Sequence, residues 1–269
     1  MLEFEFMRRA FLAGLLLAVI IPCIGIIVVL KRLSMIGDAL SHTSLAGVAA
    51  GLIMGINPIV GAMTACVAAA LGIEAIRKKI PRYSEMAVAI VMSAGVGLAG
   101  VLSGFVSNSS SFNSFLFGSI VAISDFELAL VVGVSAAVLL GFFLLFKELF
   151  YVTLDEKAAR LAGVPVKLVN FIFTILTAVT VSVAARTVGV LIVSSMMVIP
   201  VACAMQVAGS FKTTVWASAG FGVLFTMIGL TVSYYGQLRP GATIVLVGVA
   251  GLLLVFSGKA LFRVARAKN

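Results

Sequence analysis

The chain is organised around one stretch, Ser34-Met35-Ile36-Gly37-Asp38-Ala39-Leu40-Ser41-His42-Thr43-Ser44-Leu45-Ala46-Gly47-Val48-Ala49, which lies between two strongly apolar segments. It contains the only histidine of the 269 residues, four positions after an aspartate, and no charged residue follows until Glu74. Placing an ionisable side chain at the mouth of so apolar a run costs about 2.5–3.5 kcal/mol on insertion scales. Asp38 and His42 are therefore candidate functional residues.

The composition indicates the class of protein. Hydrophobic residues make up 62% of the chain and charged residues 11%, whereas soluble domains carry about 25% charged residues. We therefore predict an all-α, polytopic membrane protein with one transmembrane domain over residues 1–269. The apolar runs are longer than the alternating segments of about ten residues that form a membrane β-barrel.

Nine segments approach the roughly 20 apolar residues that a membrane helix needs. They cover approximately residues 10–30, 39–56, 58–76, 85–106, 125–146, 166–185, 188–208, 213–235 and 241–258. Gly55-Ile56-Asn57-Pro58 divides the uncharged run at residues 43–73 and predicts a tight turn. Two topologies remain open at this stage. Nine spans place Arg8 and Arg9 outside the cell, whereas eight spans, with residues 33–56 re-entrant or broken, place them inside.

Basic residues in the connecting loops indicate the orientation. Residues 77–79, residues 147–167, Lys212 and the C-terminal tail fall on one face, which the positive-inside rule assigns to the cytoplasm. This rule also explains the net charge of +9, so no nucleic-acid partner is expected and lipid is the surrounding medium. Arg186 interrupts two apolar runs, and we interpret it as a side chain that snorkels from a turn to the interface.

Asp38 and His42 have the spacing of a ligand pair, because residues four apart on a helix share a face. A carboxylate and an imidazole can share a divalent cation, a pairing that suits zinc and tolerates manganese. Two ligands do not complete the coordination of a metal ion. Either a two-fold dimer supplies two aspartates and two histidines, or the ion binds there only transiently. Two structural alternatives remain: Asp38 caps the helix, or His42 is hydrogen-bonded to a neighbouring helix.

Residues 153–165 form the most charged stretch, and their pattern predicts a short amphipathic helix ended by Gly163 and Pro165. On the cytoplasmic face this helix either docks into a partner or is a solvated loop. The sequence has no G-x-x-x-x-G-K-[ST] nucleotide-binding motif, no H-E-x-x-H and no Ser-His-Asp set. We therefore expect no enzymatic activity in this chain, and uphill transport would need a gradient or another subunit.

Several stretches together resemble the permease subunits of bacterial ABC importers for zinc and manganese, nearly from end to end. They are Arg32-Leu33-Ser34-Met35-Ile36-Gly37-Asp38-Ala39-Leu40-Ser41-His42 with residues 45–49, Leu154-Asp155-Glu156 with residues 159–165, residues 187–200 and residues 239–246. The resemblance implies a type II importer fold, related to the cobalamin importers, that forms a homodimeric pore. It also implies two cytoplasmic ATPase subunits and an extracytoplasmic metal-binding protein as partners.

The resemblance also implies roles for particular residues. Asp38 and His42 correspond to the ion pathway, and residues 153–164 correspond to the coupling helix that contacts the ATPase. The transported ion is zinc or manganese, with zinc favoured by the nitrogen ligand, and no permanently bound cofactor is expected. The partner-binding positions are Asp155, Glu156, Arg160 and Gly163.

Two competing functions remain open for a multi-pass protein of the cell membrane. The first is a gradient-driven secondary metal transporter in which Asp38 or His42 relays protons. The second is a permease of the same type II fold that imports a siderophore or cobalamin, for which an intramembrane acid–imidazole pair would have no purpose.

Overall fold

The computed structural model describes residues 5–80, 83–106, 115–116, 118, 123–190 and 192–267, which contain helices and no strand. In chain order the helices are α1 (Glu5–Leu30), α2 (Ile36–Met54), α3 (Pro58–Lys79), α4 (Ser84–Ser103), α5 (Asp125–Leu144), α6 (Phe146–Leu154), α7 (Glu156–Leu161), α8 (Val166–Val188), α9 (Val193–Val207), α10 (Phe211–Gly236) and α11 (Pro240–Ala267). Eight helices of this described part have the length and apolar composition of a membrane span. The predicted all-α, polytopic class is confirmed.

The short apolar helix is α9, not the segment around residues 33–56. With 15 residues, α9 measures about 22 Å against a hydrocarbon core of about 30 Å. Non-helical backbone precedes it at Gly189, whose φ of 104° only glycine adopts readily. In contrast, α2 is one continuous helix of 19 residues. The alternative with a re-entrant or broken span at residues 33–56 is therefore wrong.

Two polar contacts between helices identify the two ends of the bundle. At one end, Arg9 of α1 lies 2.8 Å from Asp125 at the start of α5. At the opposite end, Lys259 of α11 donates a hydrogen bond of 2.7 Å to the backbone carbonyl of Gln206 in α9. The second end also carries the basic residues 77–79 and the helices α6 and α7, so the positive-inside rule makes it cytoplasmic.

The N-terminus of α1 lies at the other, outer end, because Arg9 pairs with Asp125 there. The topology that places Arg8 and Arg9 inside the cell is therefore wrong. Glu5 also pairs with Arg9, so acidic neighbours balance part of the basic charge that the positive-inside rule would otherwise place in the cytoplasm.

Arg186 does not snorkel to the interface as the sequence suggested. Its Nε donates to Glu127 Oε1 at 2.7 Å, and the Arg186 side chain is only 21% exposed. The guanidinium also lies 4.5 Å from the ring centroid of Phe115. The other oxygen of Glu127 accepts the backbone N–H of Ser124 in a capping box at the start of α5. A buried carboxylate from another helix therefore satisfies this arginine inside the protein.

Two facing glycines set the distance between α2 and α3. A side chain at Gly47 would clash with the carbonyl oxygen of Gly61, and one at Gly61 would clash with the carbonyl oxygen of Gly47. Small residues allow membrane helices to approach this closely. The predicted turn between the two helices is confirmed: Gly55 ends α2 with φ 69°, and the Asn57 side chain caps α3.

Replacing Gly61 with alanine should destabilise this hairpin, because the added methyl group meets backbone that cannot move aside. Overpacking of this kind costs about 1–3 kcal/mol. Gly72, on the same helix, has open space where a Cβ would stand. We expect Gly61→Ala to lower the thermal midpoint of the detergent-solubilised protein and Gly72→Ala to leave it unchanged or slightly raised. Equal midpoints for the two variants would contradict the close approach.

Candidate functional site

A tight turn joins α1 to α2 and decides where α2 begins. The amide of Arg32 donates to the carbonyl of Val29 at 3.0 Å, and the amide of Leu33 donates to Val28 at 2.9 Å. With Arg32 at φ 57°, these two bonds form a Schellman motif. The amide of Ile36 then donates to Leu33 at 2.8 Å and starts α2. Backbone hydrogen bonds therefore fix the connection between the two helices.

Asp38 and His42 lie on the first two turns of α2 and are both half-buried. Neither forms a hydrogen bond or ion pair with any residue that the structure describes. The N-cap of α2 is Met35, and no side chain caps the helix. Both structural alternatives are therefore wrong, because the carboxylate is not used on the first-turn amides and the imidazole is not bonded to a neighbouring helix.

The other sides of α2 are covered by neighbouring helices. Gly37 packs on α9, where the Ser194 hydroxyl would lie 3.2 Å from an added Cβ, and Thr43 packs against Gly95 of α4. On the α3 side, the thiol of Cys66 donates to the carbonyl of Leu40 at 3.2 Å. The side that carries Asp38 and His42 remains partly open, and Met35 on the same side is 54% exposed.

The described residues of one copy of the chain do not form a complete metal site. No group of three or more histidine, cysteine, aspartate or glutamate side chains comes together within the described ranges. A closed structural zinc site takes four protein ligands. Asp38 and His42 therefore match either weak, transient binding or a site to which a second copy of the chain adds ligands.

The predicted partner-binding stretch contains α7, a helix of six residues. Asp155 caps it, because its Oδ1 accepts the amides of Lys157 at 2.7 Å and Ala158 at 3.2 Å. Gly163, with φ 82°, ends it. Asp155 and Gly163 thus shape the helix, whereas the Arg160 side chain is exposed at the cytoplasmic end.

Glu156 points toward the body of the protein and joins four helices. Its Oε1 accepts a hydrogen bond of 3.1 Å from Asn170 of α8 and lies 3.5 Å from a guanidinium nitrogen of Arg77 of α3. Lys31, directly after α1, lies 3.8 Å from the same oxygen and donates to Asn170 Oδ1 at 2.6 Å. We call Lys31, Arg77, Glu156 and Asn170 the corner network.

Lys31 and Asn170 were not predicted as functional residues from the sequence. A signal existed for Asn170, since it is a lone amide within the apolar residues of α8, and polar side chains in membrane helices usually have partners. Three exposed apolar side chains near α7 were also not named as partner-binding residues from the sequence. These are Tyr151, Leu154 and Leu161, with exposures of 52%, 67% and 90%. We call them the docking patch.

Comparisons with known proteins agree on one family. The model of the ABC 3 transport family matches residues 3–259. A Treponema pallidum protein named "Probable metal transport system membrane protein" is 35% identical over 271 residues, covering 100% of both chains. The manganese transport system membrane protein MntC of Listeria monocytogenes is 32% identical over 259 residues, covering 95% of this chain and 91% of MntC.

One solved structure supports the fold as well. In the structure of PsaBC from Streptococcus pneumoniae in complex with Fab, one chain is 30% identical to this protein and superposes with a TM-score of 0.84. The match covers 94% of this chain and 92% of that chain. The expected importer-permease fold is therefore confirmed.

The buried position of Lys31 predicts a dependence of stability on pH. Burial lowers the pKa of Lys31 from 10.5 to about 8; nearby Arg77 lowers the pKa further, and the carboxylates of Glu156 and Glu74 oppose both effects. Between these two pH values the folded protein binds fewer protons than the unfolded chain. The contribution of Lys31 to the free energy of unfolding therefore rises with pH. Below about pH 8, Lys31 is protonated in both the folded and the unfolded chain, so the full free-energy cost of burying its charge is present.

We expect the thermal midpoint of the wild-type protein, measured relative to Lys31→Met, to rise from pH 8 to pH 10. Lys167 on α8 is exposed, so Lys167→Met is the matched control and should follow the wild-type curve. Parallel curves for the wild type and Lys31→Met would show that Lys31 titrates normally in the folded protein.

Proposed function

Because the chain belongs to the ABC 3 transport family of metal-ion importer permeases, we propose that it conducts a divalent metal ion past Asp38 and His42. Members of this family are membrane transport subunits, so the chain is a multi-pass plasma membrane protein and not itself an enzyme. The observation that carries the proposal is the pair itself. Both side chains are half-buried on one face of α2 and lack a partner among the described residues.

The desolvation of these two groups favours a cation at this place. An ionisable group inside an apolar bundle is unfavourable unless a partner compensates it. A passing divalent ion would supply that compensation, while the carboxylate and imidazole would replace part of its hydration shell. Incomplete coordination suits a transported ion, because an ion that is bound too tightly does not leave.

We propose a homodimer in which the open face of α2 contributes to a shared pathway. A two-fold axis presents the same surface of both subunits to each other. Two copies of Asp38 and His42 would then provide four ligands, two oxygen and two nitrogen atoms. This arrangement would complete the site, since the described residues of one copy bring together no group of three such side chains.

We propose manganese as the transported ion. The support comes from relatives named for manganese, MntC of Listeria monocytogenes among them. Carboxylate oxygen is a ligand type that suits manganese, and imidazole is one that suits zinc. The preference for zinc drawn from the sequence depends on the nitrogen ligand alone, so zinc becomes the second candidate.

We propose that the energy comes from ATPase subunits that dock at α7 and that a metal-binding protein delivers the ion at the outer end. The docking patch supports this role, because exposed apolar side chains grouped on a protein surface mark an interaction site. Leu161 is 90% exposed there. Neither a gradient-driven mechanism nor siderophore or cobalamin import accounts for this patch together with the unpaired acid and imidazole.

Replacing either ligand should abolish transport. We expect Asp38→Asn and His42→Gln each to reduce ATP-dependent manganese uptake into proteoliposomes by more than about tenfold, the smallest usual cost of losing even an outer-shell partner of a metal. Met35→Leu, on the same open face, is the control and should transport normally.

The same vesicles test the alternatives. If the vesicles take up labelled zinc but not manganese, zinc replaces manganese as the proposed transported ion. Normal uptake by Asp38→Asn and His42→Gln would refute the ligand role, and uptake driven by a proton gradient without ATP would favour a secondary transporter.

Removing the Leu161 side chain should weaken the binding of the ATPase. Burying a leucine contributes about 1.5–3 kcal/mol, so we expect Leu161→Ala to reduce the affinity of the purified permease for its ATPase subunit roughly tenfold or more. Leu168 on α8 is also exposed, at 56%, but lies outside the docking patch, so Leu168→Ala is the matched control. Equal affinity for both variants would place the contact elsewhere.

A further inference from the structure

The corner network connects the proposed docking helix to the helix that carries the metal ligands. One carboxylate oxygen, Glu156 Oε1, receives contacts from α3, from α8 and from the residue that follows α1. Asn170 links two of these contacts, since its amide nitrogen donates to Glu156 and its oxygen accepts from Lys31. The network therefore forms a continuous polar connection from α7 to the end of α1.

Three members of the network, Lys31, Arg77 and Asn170, are too buried for water to replace their contacts easily. The Lys31 side chain is 7% exposed, the Arg77 side chain is 16% exposed, and Asn170 is 5% exposed. Arg77 is held in turn by Glu74 at 2.8 Å. A buried cation that loses its partner is strongly destabilised, so a displacement of Glu156 must draw Lys31 along or break the connection.

Lys31 is joined to the metal ligands by a short, rigid path. The Schellman turn after Lys31 leads directly into α2, where Asp38 occupies the first turn. Ile36, at the start of α2, and Lys31 line the same cavity of about 20 Å³ together with Asn170 and Glu74. A shift of the Lys31 ammonium would therefore be transmitted to the beginning of α2 through hydrogen-bonded backbone.

We propose that Lys31 and Asn170 are positioning residues that transmit the movement of α7 to Asp38 and His42. In this arrangement Glu156 belongs to the transmission and not to the contact with the ATPase. Its exposure supports this division of roles, because the Glu156 side chain is 41% exposed while Leu161 on the same helix is 90% exposed. The inference rests on the proposed function of the chain as an ATP-driven permease.

The test distinguishes a loss of coupling between ATP hydrolysis and transport from a loss of ATPase binding or of folding. The permease is reconstituted with its ATPase and metal-binding partners, and the metal transported per ATP hydrolysed is measured. We expect Lys31→Met and Asn170→Leu to bind the ATPase and to hydrolyse ATP like the wild type. Transport per ATP should fall about fivefold or more, as typical coupling energies between sites predict. Lys31→Arg, which keeps the charge and the donors, should restore most of the ratio.

Two further variants make the test specific. Lys167→Met removes an exposed lysine three residues from Asn170 and should keep the wild-type ratio. Combining Lys31→Met with Glu156→Gln should reduce the ratio no further than either change alone, because both cut the same connection. If Lys31→Met is not produced as folded protein, the ratio is measured with Asn170→Leu, which removes no charge.

The inference would be overturned by an unchanged ratio, by a parallel fall of ATP hydrolysis and transport, or by additive effects in the double variant. Release of the ATPase by Lys31→Met would also overturn it, because the residue would then act in assembly. A wild-type complex that moves no divalent metal would instead refute the proposed function, so the two failures are distinguishable.

Discussion

The cost of placing charge in an apolar bundle organises this protein. At the outer end Arg186 pairs with Glu127, and at the cytoplasmic end Lys31 is held by Asn170 and Glu156. Each of these contacts joins helices that are distant in the chain, so compensation of charge also ties the bundle together. Asp38 and His42 depart from this pattern. Within the described part of the chain they have no hydrogen-bonded or ion-paired partner, which supports the proposal that a metal ion takes that place.

The turn and the helices packed around α2 hold Asp38 and His42 in place. The turn after Lys31 attaches its beginning to α1, and the glycine contact between Gly47 and Gly61 brings it against α3. Gly37 rests on α9, the short helix that follows the glycine break at residue 189. A helix held on three sides presents its remaining side in a defined position, as the proposed ligand role of Asp38 and His42 requires.

The stretches that carry the family resemblance lie far apart in the chain but meet in the structure. Residues 32–42 contact residues 187–200 through Gly37 and Ser194. Glu156, from the second stretch, reaches Lys31 beside the first, and Gly241, from the last, packs against Val188 and Ile192. The contacts place the proposed ATPase-docking helix, the corner network and the proposed ligand pair in one connected region. Transmission between them therefore needs no long path through the bundle.

The sequence by itself determined the features that depend on neighbours along the chain. Apolar run lengths identified the helices, Gly55 and Asn57 marked the turn, and the four-residue spacing placed Asp38 and His42 on one face. Only the tertiary structure decided that α9 is the short helix, that Arg186 pairs with Glu127, and that Lys31 meets Asn170 across 139 positions. Hydropathy and helical periodicity are local properties, whereas the partner of a buried charge is chosen by which helix ends the fold brings together.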